Sequence, residues 1–258
     1  MGKLYQVKRN FIKKWGAYQK QIGKPNKDVI WVFGMQKSGT SAIAGLLAHR
    51  SGKTVTIDTP ELWTPHLEKL KSGQLSLKNH IYKNPYDFSK DIIKEPNATF
   101  LFDELKGIFK LKKYVVIIRN PFDTIRSILN RLGLPGDQSS ININDVNPNW
   151  RGIFNNNGNN YISDLCELWN EAYSNEDMIN SKSCILVKYE DFVEDKTSFI
   201  DDLCRKLNLP LKYNIELIQD KNFQPKGDKN VDLANFFGYN YNIIKDNCIY
   251  NTKQTNLF

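Results

Sequence analysis

The sequence predicts an α/β fold on a mostly parallel sheet. Two patterns carry that prediction. Short apolar, β-branched runs recur at residues 29–33, 53–57, 91–94, 114–118 and 184–187. Between them lie stretches with apolar residues at helical spacing, such as Ile43, Leu46 and Leu47, or Ile162, Leu165, Leu168, Trp169 and Tyr173. Strands that alternate with helices pair in parallel, and the crossover helices cover both sheet faces. The run YVVII at 114–118 is the clearest strand. It is apolar throughout, as a strand buried on both faces is.

The strand at 29–33 leads into Gly34-Met35-Gln36-Lys37-Ser38-Gly39 and then a helix from Thr40. A tight turn with two glycines between a strand and a helix is an anion site. The first-turn N–H groups have no partner within the helix, and the macrodipole adds partial positive charge. Lys37 adds a full charge, and Thr40 and Ser41 can cap the helix or donate hydroxyls to the same anion. Phosphate is the natural occupant. The Walker pattern puts its lysine directly after the second glycine. Here Lys37 precedes Gly39 by two positions.

The second strand, 53–57, ends in Asp58-Thr59-Pro60-Glu61 and places carboxylates at its carboxyl end. Open α/β sheets bind ligands along that edge. Residues 61–75 read as helix and 80–89 as a loop over the site. The third strand, 91–94, runs into Lys94 and Glu95 and is stopped by Pro96. Residues 100–109 have helical spacing.

The fourth strand enters Arg119-Asn120-Pro121-Phe122-Asp123-Thr124-Ile125-Arg126-Ser127. Pro121 suits a first helical turn with Asn120 as its cap. Arg119 and Ser127 can converge on a second phosphate beside that helix start. Residues 133–160, rich in Gly, Pro, Asn and Ser around Trp150, form a lid-like loop; connections this long are commonly functional. A helix at 161–178 and a strand at 184–187 precede Tyr189-Glu190-Asp191-Phe192 and a helix at 199–207. Past Leu209 the pattern fades into a C-terminal extension, 210–258.

These motifs carry a resemblance. Lys37-Ser38-Gly39-Thr40-Ser41 resembles the 5′-phosphosulfate loop of sulfotransferases. The stretch from Arg119 to Ser127 matches their 3′-phosphate motif, R-N-P-x-D-x-x-x-S, at every specified position. The YEDF tetrapeptide at 189–192 also resembles the family, and Gln224-Pro225-Lys226-Gly227-Asp228 faintly resembles its late R-K-G segment. The resemblance covers residues 29–209 and implies one domain with a three-layer, P-loop-kinase-like fold and strand order 2-3-1-4-5.

It further implies sulfuryl transfer from 3′-phosphoadenosine 5′-phosphosulfate, with adenosine 3′,5′-bisphosphate as product and no metal required. Gln36 to Ser41 then hold the 5′-phosphate. Arg119, Ser127, Lys226 and Gly227 hold the 3′-phosphate. Lys37 meets the charge on the leaving phosphate and Lys94 the sulfuryl oxygens, while Ser127 restrains Lys37. A base must take the acceptor proton. The K-x-H pattern of some family branches is absent at Lys94-Glu95-Pro96; other branches use a glutamate just after the second strand, so the resemblance implies Glu61, with Glu95, His66 and His80 as alternatives. Tyr189 and Asp191 are read as structural. Trp63 and Trp150 are read as core residues that can also stack on a ring.

Composition sets the remaining bounds. A formal charge of +8, from 36 basic and 28 acidic residues, favours anionic ligands. The four cysteines are widely spaced with no CxxC, which argues for reduced thiols rather than a metal or disulfide framework. No run approaches the roughly 20 apolar residues of a membrane span. The basic N-terminal stretch lacks the apolar core of a secretory signal. Val7, Phe11, Trp15 and Tyr18 fall on one helical face, so 1–27 is expected as an amphipathic extension. The expectation is a cytoplasmic transferase acting on a hydroxyl or amine of a carbohydrate or small molecule, with no specific nucleic-acid partner. Two rival readings are a small-molecule kinase on the same fold and an inactive basic protein that binds nucleic acid or a polyanionic glycan.

Overall fold

The computed structural model describes residues 22–155, 157–220 and 231–248. The expected extension at 1–27, but for its last residues, lies outside them. So does the 224–228 turn with Lys226 and Gly227.

Strands β1 (Ile30–Phe33), β2 (Val55–Ile57), β3 (Ile92–Lys94), β4 (Tyr114–Ile118) and β5 (Cys184–Lys188) form one sheet in the order β2-β3-β1-β4-β5. Every pairing is parallel. The helices are α1 (Thr40–Ser51), α2 (His66–Lys71), α3 (Leu77–Lys83), α4 (Phe102–Lys106), α5 (Pro121–Leu132), α6 (Tyr161–Tyr173), α7 (Glu176–Ile179), α8 (Tyr189–Glu194), α9 (Lys196–Lys206), α10 (Leu233–Phe237) and α11 (Asn240–Asn247). Side chains of a strand alternate between faces, and two cores follow. Trp31, Phe33, Tyr114, Val116 and Ile118 enter one, with Ile125 and Ile128 of α5 and Leu165 and Trp169 of α6. Val32, Val115 and Ile117 enter the other, with Ile43 and Leu47 of α1 and Ile200 and Leu203 of α9. Three layers result, as expected.

Several elements differ from their sequence pattern. The helix expected over 61–75 is split into a 3-10 turn at Pro60–Leu62 and α2. Pro65 lies between them; it has no N–H to donate and disfavours helical backbone at Thr64. The loop expected at 80–89 contains α3 instead, whose N-cap Ser76 accepts from the Asn79 N–H. This puts His80 inside a buried helix face. The helix expected over 161–178 stops at Tyr173, and Asn175 caps α7 anew by accepting from Met178 N–H. The 100–109 stretch is a 3-10 turn at Pro96–Leu101 running into α4.

The segment 133–160 is folded rather than bare. It holds 3-10 turns at Ile143–Asp145 and Pro148–Ile153, and a Ser140–Asn159 bridge closes it. Val146 and Phe154 are buried in the core. The C-terminal helices belong to the same body: α11 packs on α6, and Tyr241 stacks on Phe122 at 4.6 Å.

Candidate active site

The parallel crossovers bring the ends of β1, β2, β3, β4 and β5 to one edge of the sheet. Asp58, Lys94, Glu95 and Arg119 stand at that edge, and Lys37 lies in the turn that follows β1. The turn after β1 is held by side chains from outside it and within it. The Thr99 hydroxyl accepts from Gly34 N–H at 2.9 Å. Ser38 donates its hydroxyl to Met35 O at 2.7 Å, and Gln36 Nε2 donates to Asn97 Oδ1 at 2.6 Å. The left-handed backbone falls at Gly34 (φ 139°), Lys37 (φ 68°) and Gly39 (φ 88°). Gly39 is the N-cap of α1, with no side-chain cap. The capping role expected for Thr40 and Ser41 is therefore not made, and the first-turn N–H groups are left for a ligand.

Gly39 also meets a close neighbour. A Cβ there would lie 2.2 Å from Cδ2 of Tyr189. The same ring also meets Arg119, whose guanidinium carbon is 4.4 Å from the ring centroid. Arg119 Nη1 donates to Lys37 O at 2.8 Å, while its buried Nε has no hydrogen-bond partner among the described residues. Tyr189 thus joins the two phosphate-type motifs, a role that its sequence context did not reveal. Its neighbour Glu190 accepts from Asn120 N–H at 3.0 Å, and Asn120 caps α5 by accepting from Phe122 N–H at 2.9 Å. Ser127 is half-buried on α5, two turns beyond Arg119.

The Lys37 ammonium makes no ion pair among the described residues. Burial holds its pKa below the ordinary lysine range, and repulsion from Arg131, Arg119 and Lys94 adds to that. Four cations therefore share one corner. Arg131 was missed in the sequence; it lies one helical turn beyond Ser127, where residues four apart face the same way. Lys94, 3% exposed, is ion-paired with Asp58 across the ends of β3 and β2.

Beside this corner opens a cleft of about 900 Å³. Gln36, Asp58, Trp63, Glu95, Arg131 and Trp150 are among its lining residues. Glu95 is held by three donors: Thr59 N–H at 2.9 Å and Trp63 Nε1 at 3.0 Å on Oε2, and Asn97 N–H at 3.1 Å on Oε1. Burial nonetheless pushes its pKa up to about 7. Glu61 is placed differently. It is absent from the cleft lining, and its Oε2 lies 3.4 Å from His80 Nε2, which also contacts the Glu61 carbonyl at 2.8 Å. His66 stacks against His80 with ring centroids 4.9 Å apart. Glu61, His66 and His80 offer ligand-type atoms within 4.8 Å of one another, a set suited to a transition metal. Trp150 and Trp63 line the cleft; the fully buried Trp31 and nearly buried Trp169 fill the core instead.

The sulfotransferase family model matches residues 64–213, more than half of the chain. The chain belongs to the sulfotransferase family. The match spans the Arg119 motif and β5 but starts after the Lys37 turn. Sulfotransferase STF1 from Mycobacterium tuberculosis H37Rv is similar in structure, with a TM-score of 0.55 at 14% identity over 91% of this chain and 80% of that one. That likeness shows the shared fold. A sulfotransferase from Alicyclobacillus acidocaldarius gives 0.46 at 14% identity, over 88% of this chain and 96% of that one. Mouse sulfotransferase SULT7A1, complexed with PAP, gives 0.43 at 15% identity, over 80% and 68%. No curated protein sequence matches the chain. Among the described residues, no helix of this sulfotransferase is long and apolar enough to cross a membrane.

Proposed function

We propose that this sulfotransferase moves a sulfuryl group from 3′-phosphoadenosine 5′-phosphosulfate to a hydroxyl of a carbohydrate or small molecule bound in the cleft. The observation that carries this reading is the Lys37 corner. A desolvated ammonium surrounded by Arg119, Arg131 and Lys94 is costly unless anions occupy it. The orphaned Arg119 Nε and the open N-terminus of α1 fit the same demand for two separate phosphates.

The donor supplies a sulfuryl group attached to a phosphate leaving group. The turn from Gln36 to Ser41 binds the 5′ end through backbone N–H groups. Arg119 and Ser127 bind the 3′-phosphate; Lys226 and Gly227 remain proposed companions. As the acceptor oxygen bonds to sulfur, the old sulfur–oxygen bond breaks and its electron pair stays on the phosphate oxygen. Lys37 stabilises that charge, and Lys94 faces the sulfuryl oxygens once its pair with Asp58 loosens. Such positioned charges are most effective where water is excluded.

The acceptor proton needs a carboxylate. Glu61 was the expectation from sequence; Glu95 is the better placed, because it lines the cleft and Glu61 faces histidines. Three of the four acceptor positions of Glu95 are used by N–H donors, which leaves one on Oε1 for a substrate hydroxyl. A pKa near 7 matches a base working at neutral pH.

Titration calorimetry tests the donor. Adenosine 3′,5′-bisphosphate should bind without magnesium and more tightly than ATP. Magnesium-dependent preference for ATP would instead establish a kinase.

A further inference from the structure

The cleft is acidic although the chain is basic. Six carboxylates line it: Asp58, Glu68, Glu95, Asp164, Glu167 and Glu171. Its two cations are Lys71 and Arg131. Arg131 acts on Lys37 and so belongs to the donor corner. Lys71 is neutralised by Glu171 at 2.6 Å, and Asp58 by Lys94. Glu68 and Glu167 have no cation among the described ion pairs, and burial raises the Glu95 pKa to about 7. An anionic ligand would enter this space against a field of its own sign.

The walls say what kind of cation fits. Trp63, Trp150 and Phe100 line the same space. Lys71 shows how an ammonium is accommodated there: its Nζ lies 5.2 Å from the Phe100 centroid while it contacts the Glu171 carboxylate. An aromatic face on one side and a carboxylate on the other is a favourable pairing for an ammonium group. Gln36 Oε1 adds a buried acceptor with no partner among the described residues, beside the donor corner. Gln36 Oε1, Glu68 and Glu167 all accept hydrogen bonds, which suits a ligand that donates them.

We infer that the acceptor is cationic: a ring-bearing amine, with an amino sugar of two or three units as the class that suits a cleft of about 900 Å³. The inference rests on the sulfotransferase reading above and specifies its acceptor. The ammonium groups lie against Glu68, Glu167 and the aromatic faces. One hydroxyl reaches Glu95, which takes its proton as the oxygen bonds to sulfur and the electron pair departs with the donor phosphate.

Three trisaccharides that differ chiefly in charge test this: a β-1,4 glucosamine trimer, cellotriose and trigalacturonate. Binding is read by calorimetry and by tryptophan fluorescence at pH 6.5, with adenosine 3′,5′-bisphosphate present and absent. The glucosamine trimer should bind at least about tenfold more tightly than cellotriose, and the preference should shrink with added salt. Trigalacturonate should be the weakest. The double change Glu68→Gln, Glu167→Gln should erase the preference for the glucosamine trimer over cellotriose while leaving the melting temperature unchanged. Equal affinities, tighter binding of trigalacturonate, or no binding of any trimer would overturn the inference. The bisphosphate titration in the same samples separates the two claims. Bisphosphate binding without a cationic preference removes only the acceptor class. Absence of bisphosphate binding removes the sulfotransferase reading, while the trimer series still reports on the cleft.

Discussion

At the residue scale, the chemistry turns on two groups whose ionisation is shifted in opposite directions. Burial and three neighbouring cations depress the Lys37 pKa; burial raises Glu95 to about 7. Glu95 works as a base only when deprotonated, so kcat/KM should rise with pH up to about 7. Lys37 works only when protonated, so the alkaline fall should begin below the range of a free lysine. Glu95→Gln should remove the rising limb and lower the rate on the order of a hundredfold or more. A Glu95→Gln enzyme that keeps both its rate and its pH profile would return the role to Glu61. Lys37→Ala should lower kcat about a hundredfold to a thousandfold, with a smaller loss of bisphosphate affinity, because its charge matters most as the bond breaks. Single-turnover kinetics beside calorimetry separates those effects.

At the element scale, the turn before α1 depends on close packing between segments far apart in the chain. Gly39→Ala would set a Cβ 2.2 Å from the Tyr189 ring and strain a backbone with φ 88°. We expect a loss of roughly 1–3 kcal/mol in stability and at least tenfold in bisphosphate affinity. Thermal melts and titration report the two. The substitution Tyr189→Ala relieves the clash, so the double variant should recover part of the stability; strict additivity would show that the contact is not the cause. The two phosphate-type turns were legible as elements because each is local: strand, turn residues and cap follow within a few positions. Their coupling through Tyr189 was not legible, since YEDF lies 150 positions after Gly39.

On the scale of the whole molecule, the cleft wall is tied to the C-terminal helices. Asn240 Nδ2 donates to Gly136 O and Gln138 O, both at 2.8 Å, and Asn240 is 2% exposed. Asn240→Ala takes the donor from the buried Gly136 carbonyl and the part-buried Gln138 carbonyl and should cost about 1–3 kcal/mol. It should also raise the acceptor KM more than it affects bisphosphate binding, because the loosened segment carries Trp150. Denaturant unfolding and initial rates check both parts. An unchanged acceptor KM would show that the 133–160 segment is not held in place from α11.

What the sequence determined by itself was everything written in consecutive residues: the strand and helix alternation, both phosphate-type turns, the Asn120 cap and the family. A strand-turn-helix folds from neighbours, so its pattern survives in one dimension. Tertiary structure alone decided which side chains converge. It turned Glu61 toward His80 and set Glu95 at the cleft, added Arg131 to the Lys37 corner, and gathered carboxylates from residues 58 to 171 into one acidic cavity within a basic chain. The reason is the parallel crossover: it brings strand ends distant in sequence to a single edge, and the resulting fields and burial depend on spatial neighbours that no short stretch encodes.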